Sequence, residues 1–218
     1  LEIAGKVISP KVLSPFNFLE HYFDDDILFK LIPAFRYSYL WNDVSRENSS
    51  KLKIISIFLP NSPEEANRIF LNTLEVLNEF KEYEWQVKLH PTGANNKEFI
   101  KDINSKGIIK LSSESSFDLI LKSEIIITGN SGIILDCLFL RKTCLVFSDV
   151  NLFPIESLEN LNIFSTWSSH NELSHLIEKY KNNEENLNKK NSYKNTFKLI
   201  EPNAEKMKLL FEELFKDE

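Results

Sequence analysis

Cysteine, glycine and methionine are scarce in this chain of 218 residues, at two, five and one. Cys137 and Cys144 are too few for a disulfide framework or a cysteine-built metal site, and read as small core hydrophobes. The glycines form no Gly-x-Gly-x-x-Gly and no Walker loop, so the common glycine-rich phosphate loops are missing. No apolar run approaches the roughly eighteen residues a bilayer-spanning helix needs, and no signal-peptide pattern opens the chain. A basic stripe is lacking too. The formal charge is −6 with acids and bases interspersed, which argues against a nucleic-acid surface. The expected compartment is cytoplasmic. The first residue is Leu1 and the single methionine is Met207, so a processed chain or a piece of a longer protein is expected.

What is present is a regular alternation of buried runs and helices, centred on Glu124 to Phe147. Glu124 to Thr128 reads as a buried strand, because Ile125, Ile126 and Ile127 are β-branched and no polar residue alternates with them. Gly129-Asn130-Ser131-Gly132 then turns the chain; Gly129 can take a positive φ, and Asn130 or Ser131 can accept from the free amides of the next helix. Ile133 to Leu140 is apolar nearly all round, broken by Asp136, and Thr143 to Phe147 repeats the buried-strand pattern. A strand, helix, strand unit with a right-handed crossover follows. It sets a helix N-terminus at the carboxyl end of a parallel strand, where α/β sheets bind phosphates.

Upstream, Ile54 to Leu59 is a strand ended by Pro60-Asn61-Ser62-Pro63. Ser62 caps a helix, Pro63 takes its first position and Glu64 and Glu65 favour its positive end. That helix is expected to reach about Glu82, with Ile69, Leu74, Leu77 and Phe80 inward. Trp85 to Leu89 is the second strand, ending in the turn His90-Pro91-Thr92-Gly93. Lys97 to Asn104 is a short helix and Gly107 a break. Ile108 to Leu111 forms the third strand, and Ser112 to Ser115 open a helix from Phe117 to Lys122. Five strands alternating with helices predict an α/β, Rossmann-like open parallel sheet with helices on both faces.

The flanks are less regular. Residues 1–50 carry Pro10, Pro15 and Pro33, a helix expected over Phe16 to Leu31, an acidic turn at Asp24-Asp25-Asp26 and an edge-strand pattern at Phe35, Tyr37, Tyr39 and Trp41. They read as a linker or remnant of an upstream domain, and 51–218 as the sheet domain. After Phe147, Leu152 to Ser157 is a loop and Leu161 to Phe164 a sixth, shorter strand. Asn171 caps a helix to about Tyr180. Asn182 to Asn195 is polar and exposed, and Ala204 to Phe215 is an amphipathic helix with Met207, Leu210, Phe211 and Leu214 on one face.

Two turns stand at carboxyl ends of strands, His90-Pro91 and Gly129-Asn130-Ser131-Gly132, and a parallel sheet brings such ends to one edge. There His90 could hold a phosphate by hydrogen bond or charge, Ser131 by its hydroxyl, and Asn130 and Gly132 by backbone amides, with Asn61, Ser62 and Asp136 in support. The bland alternative is that His90 satisfies a loop carbonyl and Ser131 merely caps its helix. His170 and His175 are spaced too widely for metal ligands on adjacent turns, and no metal is expected.

The pattern resembles the C-terminal, donor-binding domain of two-domain, GT-B-fold glycosyltransferases that build bacterial surface polysaccharides. It is similar to CDP-glycerol glycerophosphotransferases and to sialyl- and Kdo-type transferases with a His-Pro motif. In those families a strand ends in Lys-x-His-Pro, here Lys88-Leu89-His90-Pro91. A later strand leads into Ser-Ser-x-x-x-Asp and then Gly-Lys-Pro, here Ser131 to Asp136 and Arg141-Lys142-Thr143. Gly132, Arg141 and Thr143 depart from the pattern; a Ser-Gly turn also occurs in related sugar-nucleotide 2-epimerases. The resemblance covers Lys53 to Phe147. It implies that His90 and Ser131 bind the phosphate or nucleoside part of a nucleotide-activated sugar or polyol donor, and that Asp136 matches the helix acid. It implies no cofactor, the donor being a substrate. It also implies a general base on a missing N-terminal domain, and a place at the inner face of the cell membrane through peripheral association of the full-length protein.

Two rival classes stand beside it. One is a phosphate- or nucleotide-binding scaffold module without chemistry. The other is an α/β serine hydrolase with Ser131 as nucleophile and Asp149 and His170 or His175 as partners, but its elbow needs glycine where Ile133 stands.

Overall fold

The computed structural model describes residues 2–3, 6–7, 11–14, 28–31, 34, 53–91, 107, 109–148, 164–182, 201 and 203–214. The chain divides into two compact units, Leu1–Ser45 with Asn191–Glu218, and Arg46–Lys190. In the first unit β1 (Glu2–Ile3) pairs antiparallel with β2 (Lys6–Val7), and β3 (Lys11–Ser14) pairs parallel with β4 (Leu28–Leu31). The helix expected over Phe16 to Leu31 is therefore wrong at its end. There the backbone joins a ladder with Lys11–Ser14, a non-local pairing that apolar spacing along one segment does not reveal. Phe35, Tyr37, Tyr39, Trp41 and Asp24 to Asp26 lie outside the described residues.

In the second unit β5 (Ile54–Phe58) is buried throughout. It leads into α1 (Pro63–Val76), which starts as its residues dictate: Ser62 accepts from the Glu65 amide at 3.4 Å, and Pro63 occupies the first turn. The helix stops at Val76, six residues short of Glu82. Leu77 still donates to the Thr73 carbonyl at 3.2 Å, and Glu79 then bonds back to Val76 at 3.0 Å. The chain must turn there to reach β6 (Glu84–Lys88). Leu77 and Phe80 stay buried, so the apolar pattern outlasts the helix.

After Gly107, at φ 63°, come β7 (Ile109–Leu111) and α2 (Ser116–Lys122). Next are β8 (Ile125–Thr128), α3 (Ile133–Phe139) and β9 (Thr143–Phe147). β10 (Ser165–Trp167) and α4 (His170–Lys181) complete the unit. A sixth strand is present just past the expected Leu161 to Phe164, of which only Phe164 lies among the described residues. At the sheet edge only Trp167 needs burial, so the strand itself reads polar. Ser169, not Asn171, caps α4, accepting from the Glu172 amide at 3.4 Å. Residues 92–106, 149–163 and 183–200 lie outside the described residues, and with them Thr92, Gly93, the helix expected at Lys97 to Asn104, Asp149, the loop Leu152 to Ser157 and most of Asn182 to Asn195. In the first unit α5 (Ala204–Leu214) starts at Asn203, whose side chain accepts from the Glu205 and Lys206 amides at 2.9 and 3.1 Å.

The six strands are all parallel, in the order β10-β9-β8-β5-β6-β7. The chain starts at β5, steps outward to β7, then crosses back to β8 on the other side and steps outward again. Ile55, Ile57, Ile125, Ile127, Leu145 and Phe147 face Ile69, Phe70 and Val76 of α1 and Leu173 and Ile177 of α4. Alternation sends Ile54, Ser56 and Phe58 to the opposite face. There the Ser123 hydroxyl at the end of α2 bonds Ser56 at 2.6 Å and donates to the Leu119 carbonyl at 2.6 Å. Helices thus cover both faces, which is why the central strands carry no polar alternation.

Candidate functional site

The crossover decides where a ligand would sit. Phe58 of β5 stands opposite Lys88 of β6 on one side and Thr128 of β8 on the other. Three turns therefore leave the sheet side by side: Leu59 to Ser62 after β5, His90-Pro91 after β6, and Gly129 to Gly132 after β8. Two strand spacings, about 10 Å, separate the ends of β6 and β8. His90 and Ser131 share one edge, with the end of β5 between them. In open α/β sheets the crevice at such a reversal of strand order receives the ligand.

His90 is half-buried and Pro91 exposed. Lys88, of the same motif, is tied elsewhere: its ammonium donates to the Glu114 carbonyl at 2.5 Å and fixes the loop after β7. Asn61 and Ser62 are exposed, and the Ser62 hydroxyl caps α1. Asp136 is buried on the inner side of α3.

The turn after β8 differs in detail from its sequence reading. Gly129 has no left-handed φ; among the described residues the glycine that does is Gly107. Gly129 is needed for closeness. A Cβ there would meet Glu65 Oε1 at 2.1 Å and Ile69 Cδ1 at 3.0 Å. The Glu65 carboxylate, arriving from the first turn of α1, accepts from the Asn130 amide at 3.0 Å. Ser131 accepts from the Ile133 amide at 3.4 Å, and its carbonyl takes the Ile134 amide at 3.1 Å. So the Asn130 amide, read as a phosphate donor, already has a carboxylate on it, and the Ser131 hydroxyl starts α3 while remaining half-buried at the rim.

Sequence reasoning missed two residues here. In the sequence Glu65 is only a charge favouring the helix end. It occupies the third helical position after a serine cap, where a capping-box glutamate would turn back to its own cap. Here it reaches across to the next turn of the sheet instead. Arg68, one turn further along α1, sets its guanidinium 5.3 Å over the Phe147 ring at the end of β9. That places a cation along the same edge. Among the described residues no group of three or more His, Cys, Asp or Glu could hold a metal ion, and no helix is long and apolar enough to cross a membrane.

The fold has counterparts among solved structures. The fold is Rossmann-like. The chain superposes on the UDP-GlcNAc 2-epimerase of Neisseria meningitidis bound to UDP-GlcNAc with a TM-score of 0.59 at 17% identity, over 93% of this chain and 60% of that one. It superposes on the Methanocaldococcus jannaschii UDP-GlcNAc 2-epimerase, in complex with UDP-GlcNAc and UDP, with a TM-score of 0.54 at 15% identity, over 78% and 53%. Both are GT-B-like proteins. The chain spans between half and three-fifths of their length. No protein-family model matches the sequence, and no curated protein matches it.

Proposed function

We propose that this chain binds a nucleotide-activated sugar or polyol phosphate in the crevice over β5, β6 and β8, as the donor-binding half of a transferase for cell-surface carbohydrate. The observation that carries the reading is the register across Lys88, Phe58 and Thr128, which brings His90 and the Ser131-Gly132 turn to one edge at the crossover. The likeness in fold to two epimerases solved with UDP-GlcNAc supports it. In the proposed mechanism His90 and Ser131 hold the diphosphate and oppose the negative charge that builds on the leaving nucleotide as the glycosyl bond of a sugar donor, or the phosphoanhydride bond of a polyol donor, breaks. Asp136 matches the acid that the resembling transferases carry on this helix. The base that activates the acceptor lies outside this chain, which alone binds donor and turns over little.

The likeness to epimerases favours a second reading, in which the same donor half serves a nucleotide-sugar epimerase. Both readings share the ligand. Thermal unfolding with UDP, CDP, CMP and UDP-GlcNAc at millimolar concentration tests it, because a ligand of the folded state raises Tm. A rise with at least one, reduced by His90→Ala and Ser131→Ala, is expected. No shift with any of the four overturns the reading, and a shift untouched by both variants moves the site elsewhere.

A further inference from the structure

We infer that Glu65 sets the polarity of the crevice: its carboxylate keeps phosphate off the Asn130 amide and accepts a ligand hydroxyl there instead. The inference deepens the nucleotide-sugar reading and rests on it for the identity of the hydroxyl. Glu65 Oε1 lies 3.0 Å from the Asn130 nitrogen and stands against the Gly129 Cα so closely that a methyl group there would meet it at 2.1 Å. The glycine and the glutamate are matched to each other from 64 positions apart, and the contact closes the crossover between β5 and β8.

An amide at a strand-to-helix turn is ordinarily an anion donor. Here it faces a fixed negative charge, and a phosphoryl oxygen within hydrogen-bonding distance of it would sit beside that carboxylate. Like charges so close exclude one another. A carboxylate with one oxygen on an amide keeps lone pairs for further donors, and the half-buried position of Glu65 leaves it reachable. A ribosyl or glycosyl hydroxyl satisfies those acceptors and carries no charge. The diphosphate is left the Ser131-Gly132 part of the turn and His90, so Glu65 orients the ligand along the edge by repulsion on one side and acceptance on the other.

The test uses the full chain and Glu65→Gln, whose amide oxygen still accepts from the Asn130 nitrogen while the charge is gone. Titration calorimetry at pH 7.5 with inorganic pyrophosphate and with UDP-GlcNAc reads the result. Pyrophosphate is expected to bind E65Q at least fivefold tighter than wild type, and the preference for UDP-GlcNAc over pyrophosphate to fall about tenfold. Equal pyrophosphate affinity in the two proteins, or none in either, overturns the inference. A measurement on wild type alone guards against a poorly folded variant: added pyrophosphate should move the Ser131 and Gly132 amide resonances more than that of Asn130, and a shift that is largest at Asn130 overturns the inference. The underlying reading fails in a different way, through a wild-type chain that binds no UDP-GlcNAc while E65Q still gains affinity for pyrophosphate.

Discussion

The ammonium of Lys142 lies 3.0 Å from the carbonyl oxygen of Ser123 and 2.5 Å from that of Leu121, donating to both. A residue on the loop between α3 and β9 thereby closes the open carboxyl end of α2, where unpaired carbonyls attract a cation. Lys142 is half-buried, and its burial holds the ammonium below its ordinary pKa. Its role here is architectural.

Lys142→Met keeps the aliphatic stem and removes the donors. It should cost about 1–3 kcal/mol, the range for a partly buried hydrogen bond to a charged group. Urea denaturation reads the change in midpoint. A loss below a few tenths would show that water serves the two carbonyls as well.

Arg141, just before it, has φ 56°, the left-handed conformation that costs a side chain about 1–2 kcal/mol. It is the residue past the cap of α3, with its amide on the Leu138 carbonyl at 3.1 Å and the Lys142 amide on that of Cys137 at 2.8 Å. Replacing it with glycine should raise stability by about 0.5–1 kcal/mol, the relief of strain being offset in part by the freedom glycine has when unfolded. A destabilised R141G by chemical denaturation would contradict the strained cap.

Gly129→Ala places a methyl group on Glu65 Oε1 and Ile69 Cδ1. The glutamate can swing away, so the fold should survive at a cost of about 1–2 kcal/mol for the lost amide contact and the displaced neighbour. The expected signature is a lowered Tm together with a shifted Asn130 amide resonance. An unmoved resonance would mean that Glu65 does not hold that amide in solution.

Alkaline stability should decline above about pH 10, the ordinary tyrosine pKa. Burial and the nearby charge of Glu124 push the Tyr83 phenol well up, and burial also raises Tyr180. Unfolded tyrosines then release protons that the folded ones keep, so stability is complete below about pH 10 and falls as pH climbs towards the folded values. Lys142 works in the opposite direction, losing its proton sooner when folded, but it is one group against the two tyrosines and the Cys137 thiol, which burial also pushes up. Melting temperature followed from pH 8 to 11.5 should show the fall, and Tyr83→Phe with Tyr180→Phe should flatten it. An unchanged slope in the double variant would place the alkaline transition in other groups.

Where one segment contains its own instructions, structure and sequence agree closely. Ser62-Pro63-Glu64-Glu65 starts α1 at the expected residue, and the β-branched runs at Ile125 and Thr143 form strands at or within one residue of their expected bounds. Capping and β-branching act over a few bonds, so a reader of the chain sees them. The edge strand Ser165–Trp167 carries little signal in the sequence, because one buried side in three residues leaves almost no periodicity. The helix end at Val76 is hidden in the sequence because Leu77 and Phe80 continue the apolar spacing after the backbone has turned.

The amino-acid sequence by itself determined the α/β class, the two turns at strand ends and the residues they carry, since periodicity and turn chemistry are local. Only the tertiary structure decided that β8 crosses back beside β5, that His90 and Ser131 therefore share an edge, and that Glu65 lies on the Asn130 amide. Strand order and register are settled by which faces find burial together, and a carboxylate reaching another turn is a consequence of that packing. Neither leaves a mark on the residues next to it in the chain.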